Sequence, residues 1–152
     1  MLYKSSILTP IGSIGLLANK EKLLKLSFKG LEDIPDKAKK DSKRFELIFK
    51  EIEEYFAGDR KQFSFNYQVK SSPFSERVYS EMIKIPYGET LSYSELAKRS
   101  GSKLAYRAVG NTCGKNPLPL IIPCHRVTAV NSLGGFGGGL GIKRFLLNLE
   151  TN

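Results

Sequence analysis

The chain of 152 residues reads as two domains of different class. An α/β N-terminal domain, a small antiparallel sheet plus one helix, is expected over residues 1–70. A mostly helical C-terminal domain with a helix-turn-helix is expected over residues 71–152. Three patterns carry this. Apolar and polar residues alternate around positions 24–28, as in half-buried strands. From 45 to 56 apolar residues recur three and four apart, as on one face of a helix. Beyond residue 71, serines open short helical segments that glycines close.

In chain order, the runs Leu2–Leu8 and Ser13–Ala18 flank the turn Thr9-Pro10-Ile11-Gly12 and predict a hairpin. Leu24, Leu26 and Phe28 alternate with Lys25 and Ser27 in a third strand, those three facing inward. Residues 30–41, charged and proline-containing, read as a loop. Phe45, Ile48, Phe49, Ile52 and Phe56 make the stripe of a helix opened by Asp41 or Ser42 and stopped at Gly58. Residues 59–72 form a connection with one short strand. This half holds no cluster of reactive side chains and reads as a scaffold.

Ser72-Pro73 then starts a helix that runs through Val78 and Met82 to about Ile85, where Pro86 and Gly88 break it. Ser92-Tyr93-Ser94-Glu95 is a capping box heading a short helix that ends at Gly101. A second helix from about Lys103 to Cys113 completes the helix-turn-helix outline. The three prolines of residues 116–123 predict a stiff, extended, buried segment. Cys124-His125-Arg126 and a glycine-rich loop, residues 134–139, follow. The closing helix, Leu140 to about Leu149, places Ile142, Phe145, Leu146 and Leu149 on one face.

Composition narrows the class. With 41% hydrophobic and 26% charged residues, the chain is neither disordered nor a disulfide scaffold. No apolar run is long enough for a membrane span. The start, Met1-Leu2-Tyr3-Lys4-Ser5, lacks the pattern of a secretory signal, so a cytosolic protein is expected. Cys113 and Cys124 suit a reducing compartment. With His125 they make three soft ligands, one short of a structural zinc site, so neither metal nor other cofactor is expected. The net charge is +9. Between Glu95 and Glu150 no acidic residue occurs, while Lys98, Arg99, Lys103, Arg107, Lys115, Arg126, Lys143 and Arg144 do. Phosphates repel carboxylates, so this stretch points to a nucleic-acid partner.

Chemistry concentrates where the only histidine sits beside one of the two cysteines. A neighbouring imidazole favours a nucleophilic thiolate. Adjacent side chains diverge, so a water is expected to relay the proton from Cys124 to His125. Such an imidazole wants a carboxylate behind it, and Glu150 is a candidate. The pair alone is equally compatible with a buried cysteine beside an ordinary histidine.

The residues around the pair decide the reading. Asn116-Pro-Leu-Pro-Leu-Ile-Ile-Pro-Cys-His-Arg-Val127 resembles the active-site segment of the O6-alkylguanine-DNA alkyltransferases. Ile-Pro-Tyr-Gly at 85–88, Tyr93 in Ser-Tyr-Ser-Glu-Leu-Ala, Arg107 in Arg-Ala-Val-Gly, the glycine-rich loop and a helix ending in Glu150 follow the family's order. The resemblance covers about residues 71–151. The earlier residues are compatible with the family's small N-terminal α/β domain.

The resemblance implies a winged-helix-like C-terminal domain and repair of alkylated DNA by direct reversal. The alkyl group of O6-alkylguanine, and of O4-alkylthymine, would pass irreversibly to Cys124, each molecule acting once. His125 and Glu150 would serve the thiol, and Tyr93 would give a proton to the leaving guanine. The nucleotide would leave the duplex from the minor groove, Arg107 filling the vacated stack. Ala105, Ala108 and Gly110 would let the helix approach the backbone closely. Asn116 would bridge the recognition helix and the active-site segment. The carbonyls of Cys124 and Val127 would read the guanine amino group, and the Gly137 amide would face O6. Pro123 and Arg126 are expected to be structural, and Cys113 to be a small buried hydrophobe. Gly137 stands where the family has serine, and Phe136 where tyrosine is frequent. The partner would be double-stranded DNA with an alkylated guanine, met by a monomer without a membrane. The competing readings are a non-reacting lesion binder, a cysteine hydrolase and a winged-helix regulator.

Overall fold

The computed structural model describes every residue except 102–104, 130, 131, 137 and 152. Two compact units, Met1–Val69 and Lys70–Asn152, make up the chain. Among the described residues no helix is long and apolar enough to cross a membrane.

In the first unit, β1 (Tyr3–Thr9) and β2 (Gly12–Ala18) form the expected hairpin, turned at Gly12 with φ +104°. β3 (Leu23–Ser27) pairs antiparallel with β2. Leu23, Leu26 and Ser27 are buried, rather than Leu24, Leu26 and Phe28. The register shifts at Leu17/Ala18, so that Lys25 faces Leu17 but Leu23 faces Ala18. Leu24 is thereby the extra residue of a bulge, which breaks the period-two pattern. The sheet is mixed, not wholly antiparallel. A two-residue strand, β4 (Lys39–Lys40), lies parallel to β1 at the edge, within the segment expected to be loop. Backbone bonds join it to β1, Lys39 N–H to the Leu2 carbonyl at 2.8 Å and Asp41 N–H to the Lys4 carbonyl at 3.1 Å, so no side-chain period announces it.

A 3₁₀ turn, Ser42–Phe45, leads into α1 (Glu46–Phe56). Phe45, Ile48 and Ile52 are buried as expected, but Tyr55 completes the stripe at 1% exposure while Phe56 is half-buried. The Glu51 carboxylate, also buried, accepts bonds from the Ser64 amide and hydroxyl and ties the following segment to α1. The strand expected in residues 59–72 amounts to one bridge, Leu23 with Tyr67.

In the second unit, α2 (Pro73–Ile83) is capped by Ser72, whose hydroxyl accepts from the Ser75 amide at 3.2 Å. β5 (Leu91–Ser92) leads into α3 (Tyr93–Arg99), where Ser92 accepts from the Glu95 amide at 3.1 Å. α4 (Tyr106–Gly114) follows; its expected start at Lys103 lies outside the described residues. Val78, Met82, Leu96, Ala97 and Val109 are fully buried among these three helices. The proline segment is buried but not extended: Ile122 N–H bonds the Leu118 carbonyl at 2.8 Å, and Leu120 takes φ +80° in the resulting turn. A short 3₁₀ turn, Cys124–Arg126, then enters β6 (Val127–Thr128), which pairs parallel with β5. α5 (Leu140–Thr151) closes the chain. Its buried residues are Lys143, Leu146 and Glu150, and Phe145 is 38% exposed, so the expected apolar face is replaced by one carrying two charges.

Close backbone approach is demanded at Gly15, where a Cβ would stand 2.0 Å from the Gly30 carbonyl oxygen. Gly15→Ala is expected to lower unfolding free energy by about 1–3 kcal/mol, measured by urea denaturation; an unchanged midpoint would refute the clash.

Candidate active site

The site is organised by one carboxylate. Glu150, buried near the end of α5, accepts a bond from His125 Nε2 at 2.7 Å. It also takes Arg126 Nε at 2.7 Å and Arg126 Nη2 at 3.0 Å, a two-pronged ion pair. Arg126 Nη1 donates to the Ile85 carbonyl at 2.8 Å, and the guanidinium lies 5.7 Å from the Tyr87 ring centre. Gly88 N–H points to the same carboxylate at 3.4 Å, from a turn at φ +83°. The Ile-Pro-Tyr-Gly turn, the active-site turn and the closing helix thus meet at Glu150. Arg126 spends its guanidinium on Glu150 and the Ile85 carbonyl, and Pro123 caps the 3₁₀ turn that presents Cys124 and His125.

His125 is wholly buried. Burial pulls its pKa below the ordinary value and outweighs the opposing bond to Glu150, so the ring is neutral at pH 7. With Nε2 held by Glu150, Nδ1 is the remaining edge, and it has no hydrogen-bond partner among the described residues.

Cys124 is 6% exposed, and burial pushes its thiol up to about 11. A bond from Asn116, the charge of Lys143 and the backbone amides of Cys124 and His125 pull the other way. The resting nucleophile is therefore a thiol, with groups around it that favour the anion. The Asn116 side chain braces the active-site segment itself rather than bonding to α4: its Nδ2 donates to the Ile122 carbonyl at 2.8 Å, and its Oδ1 accepts from the Leu118 amide at 3.0 Å.

Pairing of β5 with β6 brings Tyr93, the first residue of α3, to the active-site segment. Burial raises the phenol to about 12, and neighbouring thiols Cys113 and Cys124 add to the shift, so Tyr93 keeps its proton. Its hydroxyl donates to the Gly135 carbonyl at 3.3 Å. The glycine-rich loop passes close to the ring: a Cβ on Gly134, at φ +74°, would lie 2.8 Å from Tyr93 Cε2.

Lys143, treated in the sequence only as one of eight cations, is wholly buried. Its Nζ donates to the Val127 carbonyl at 2.6 Å and the Gly135 carbonyl at 3.1 Å. It joins β6, the loop and α5, with its charge facing both thiols. The signal that could have found it is its spacing, three before Leu146 and seven before Glu150 on the face that packs inward. Val127, expected to offer its carbonyl to a guanine, already gives that oxygen to Lys143. Cys124's carbonyl accepts from the Val127 amide. Each carbonyl retains a second lone pair.

A cavity of about 640 Å³ is lined by Tyr93 and Ser94, by Tyr106, Arg107, Gly110, Cys113 and Gly114 of α4, and by Cys124, Ala129, Gly135 and Phe136. Its wall gathers Cys124, Tyr93, Phe136, Arg107 and Gly110 from the expected set. Ala105 immediately precedes α4 and Ala108 is exposed on it. Cys113 is half-buried rather than buried, because one side of it faces this cavity; its Sγ lies 3.9 Å from Met82 Sδ. Burial raises its thiol to about 12. Gly137 lies outside the described residues.

The model of the 6-O-methylguanine DNA methyltransferase DNA binding domain matches residues 73–152, and that of its ribonuclease-like domain matches residues 2–68. Relatives named methylated-DNA–protein-cysteine methyltransferase are similar along nearly the whole chain. One from Methanosarcina acetivorans is 39% identical over 98% of this chain and 98% of its own. A constitutive one from Bacillus subtilis is 36% identical over 99% and 96%. The crystal structure of Mycobacterium tuberculosis OGT in complex with DNA matches with TM-score 0.91 and 36% identity, covering 98% of this chain and 92% of that one. An O6-methylguanine DNA methyltransferase from Methanococcus jannaschii matches with TM-score 0.70 and 29% identity over 97% and 93%.

A neutral buried histidine makes stability depend on pH. Its folded-state pKa lies below the unfolded one, so the unfolded chain binds the extra proton as pH falls below about 6.5. Between pH 7 and 5, the native chain should lose stability more steeply than His125→Gln, by up to about 1.4 kcal/mol per pH unit. Urea titrations at each pH measure this, and equal slopes would contradict a neutral His125.

Proposed function

The chain belongs to the 6-O-methylguanine DNA methyltransferase family, and from that premise we infer that it repairs alkylated DNA by direct reversal, with Cys124 as the acceptor. The observation that carries this reading is the buried Cys124 thiol on the cavity wall, beside a His125 whose Nε2 is fixed by Glu150 and whose Nδ1 is unpartnered among the described residues.

The chemistry follows from these groups. Water bridging Sγ and Nδ1 passes the thiol proton to His125, and the imidazolium formed is stabilised by Glu150. The thiolate attacks the saturated carbon of the alkyl group. A sulfur–carbon bond forms, the O6–carbon bond breaks, and its electron pair leaves with guanine. Tyr93, still protonated at neutral pH, donates to the guanine as negative charge develops. The proton held on His125 then returns through solvent to the Tyr93 phenolate, so the net change is one proton lost from the thiol, one gained by guanine, and a thioether on the protein. A thioether carbon–sulfur bond is inert to water, so each molecule reacts once. The same displacement at O4 of thymine belongs to this reading.

Guanine O6 is out of reach in a stacked duplex, so the nucleotide must be extruded. In this reading Arg107 fills the gap in the stack, supported by its exposure on α4 and its position bordering the cavity. Ala105, Ala108 and Gly110 keep that helix slim against a minor groove. Asn116, the carbonyls of Cys124 and Val127, Phe136 and the Gly137 amide are assigned to the base. Every assigned residue falls within one unit of one chain, which supports action by a monomer on double-stranded DNA. The first 69 residues serve as scaffold in this reading, and the cytosol is its place of action.

Incubation with a duplex containing O6-methylguanine should add one methyl to Cys124, seen by intact mass, and none to Cys124→Ala, leaving unmodified guanine in the DNA. Turnover beyond one equivalent, or no adduct alongside an active control, would sink the reading. Arg107→Ala should slow transfer from duplex at least tenfold while leaving reaction with a free O6-alkylguanine base within about twofold, the stack having no part in the latter. Equal losses on both would remove Arg107 from that role.

A further inference from the structure

We propose that Tyr106 is a positioning residue that packs its ring on the extruded nucleotide at the rim of the cavity. The proposal rests on the flipping reading above and adds a residue to it. Tyr106 opens α4 and is 57% exposed, yet it borders the same cavity as the buried Cys124. Tyr106, Gly110, Cys113 and Gly114 recur at helical spacing, so one face of α4 lines the cavity from end to end. Exposure falls along that face from Tyr106 to half-buried Gly110 and Cys113 and rises again at Gly114, while Cys124 on the same cavity is 6% exposed. Tyr106 therefore stands at one rim of the cavity and Cys113 in its depth. Seven residues of helix, about 10 Å, separate them.

An extruded nucleotide that reaches Cys124 must pass this face. Gly110 offers it no side chain, and Cys113 only a small one. Tyr106 is the large aromatic at the entrance, and Arg107 next to it brings the cation. An aromatic ring beside a cation at the edge of a groove is how proteins hold an unstacked base, because every base has a π-face. The remaining exposed side chains of α4 (Arg107, Ala108 and Asn111) are polar or small, so the ring does not belong to a general apolar surface. A stacked ring contributes only after the nucleotide has left the duplex. It therefore adds to lesion recognition and not to the affinity for intact DNA.

Single-turnover methyl transfer, followed against duplex concentration, tests this with Tyr106→Ala and Tyr106→Phe. The ring is exposed, so both variants should fold, and thermal melting verifies it. For Tyr106→Ala the half-saturating concentration of O6-methylguanine duplex should rise about tenfold or more, with the maximal rate within about twofold. Binding to undamaged duplex should stay within about twofold, and Tyr106→Phe should behave as the native protein. An unchanged half-saturating concentration would overturn the proposal. So would an equal loss on undamaged duplex, or a Tyr106→Phe variant as impaired as Tyr106→Ala. Failure of the underlying reading is separate: the native protein would then show no methyl on Cys124 at all.

Discussion

The second unit depends on a single buried carboxylate. Glu150 satisfies Arg126 through two nitrogens and His125 through one, while Arg126 reaches on to the Ile85 carbonyl. Removing Glu150 or Arg126 would strand the other's charge in a place closed to water, at a cost of about 3–5 kcal/mol. The pairing therefore ties the last turn of the chain to the turn that presents Cys124. Positions set by such a node are stiff, which suits a displacement that tolerates little misplacement of the attacking sulfur.

The burial around this node sets the protonation states. Burial keeps His125 neutral, and it keeps the thiol protonated, near 11. A resting thiol is a poor nucleophile, so it is shielded from indiscriminate alkylation and oxidation. Asn116, Lys143 and two backbone amides lower the cost of the anion without producing it outright. In the proposed mechanism deprotonation waits on the relay through Nδ1. A thiol that can be used once gains from being silent until a substrate fills the cavity.

Charge along the chain acquires a different meaning in three dimensions. Of the eight cations in the acid-free stretch, Arg126 and Lys143 are inside the protein. Lys98 and Arg99 pair with Glu95, on exposed side chains where such pairs contribute little. Arg107, Lys115 and Arg144 remain exposed among the described residues. The surface meant for phosphate is thus smaller than the count implies, and two of the charges serve instead to hold the active-site turn and the loop. The acid-free run thus has two causes. An acid inside would disturb the buried network, and one outside would repel DNA.

Much of this protein is legible locally. The β1–β2 hairpin, the Ser72 and Ser92 caps, the glycine stops and the helical spacing of Ile48 and Ile52 depend on neighbours within a few residues, and the structure places those elements as expected. The motif around Pro-Cys-His-Arg carries its chemistry in adjacent residues, which is why Cys124 and His125 stood out before any fold, whereas Glu150, 25 residues beyond His125, was a candidate only from the end of the closing helix. Tertiary structure alone decided what depends on distant partners. The pairing of β4 with β1 and of β5 with β6 uses backbone groups that every residue possesses. The bulge at Leu24 follows from the register of β2. The inward turn of Lys143 needs two carbonyls, eight and sixteen residues away. The cavity, and with it the place of Tyr106 at its mouth, exists only once α3, α4 and the glycine-rich loop surround Cys124. Local patterns specify which face of an element is apolar; what that face meets, and which polar groups it must satisfy there, is a property of the packed chain.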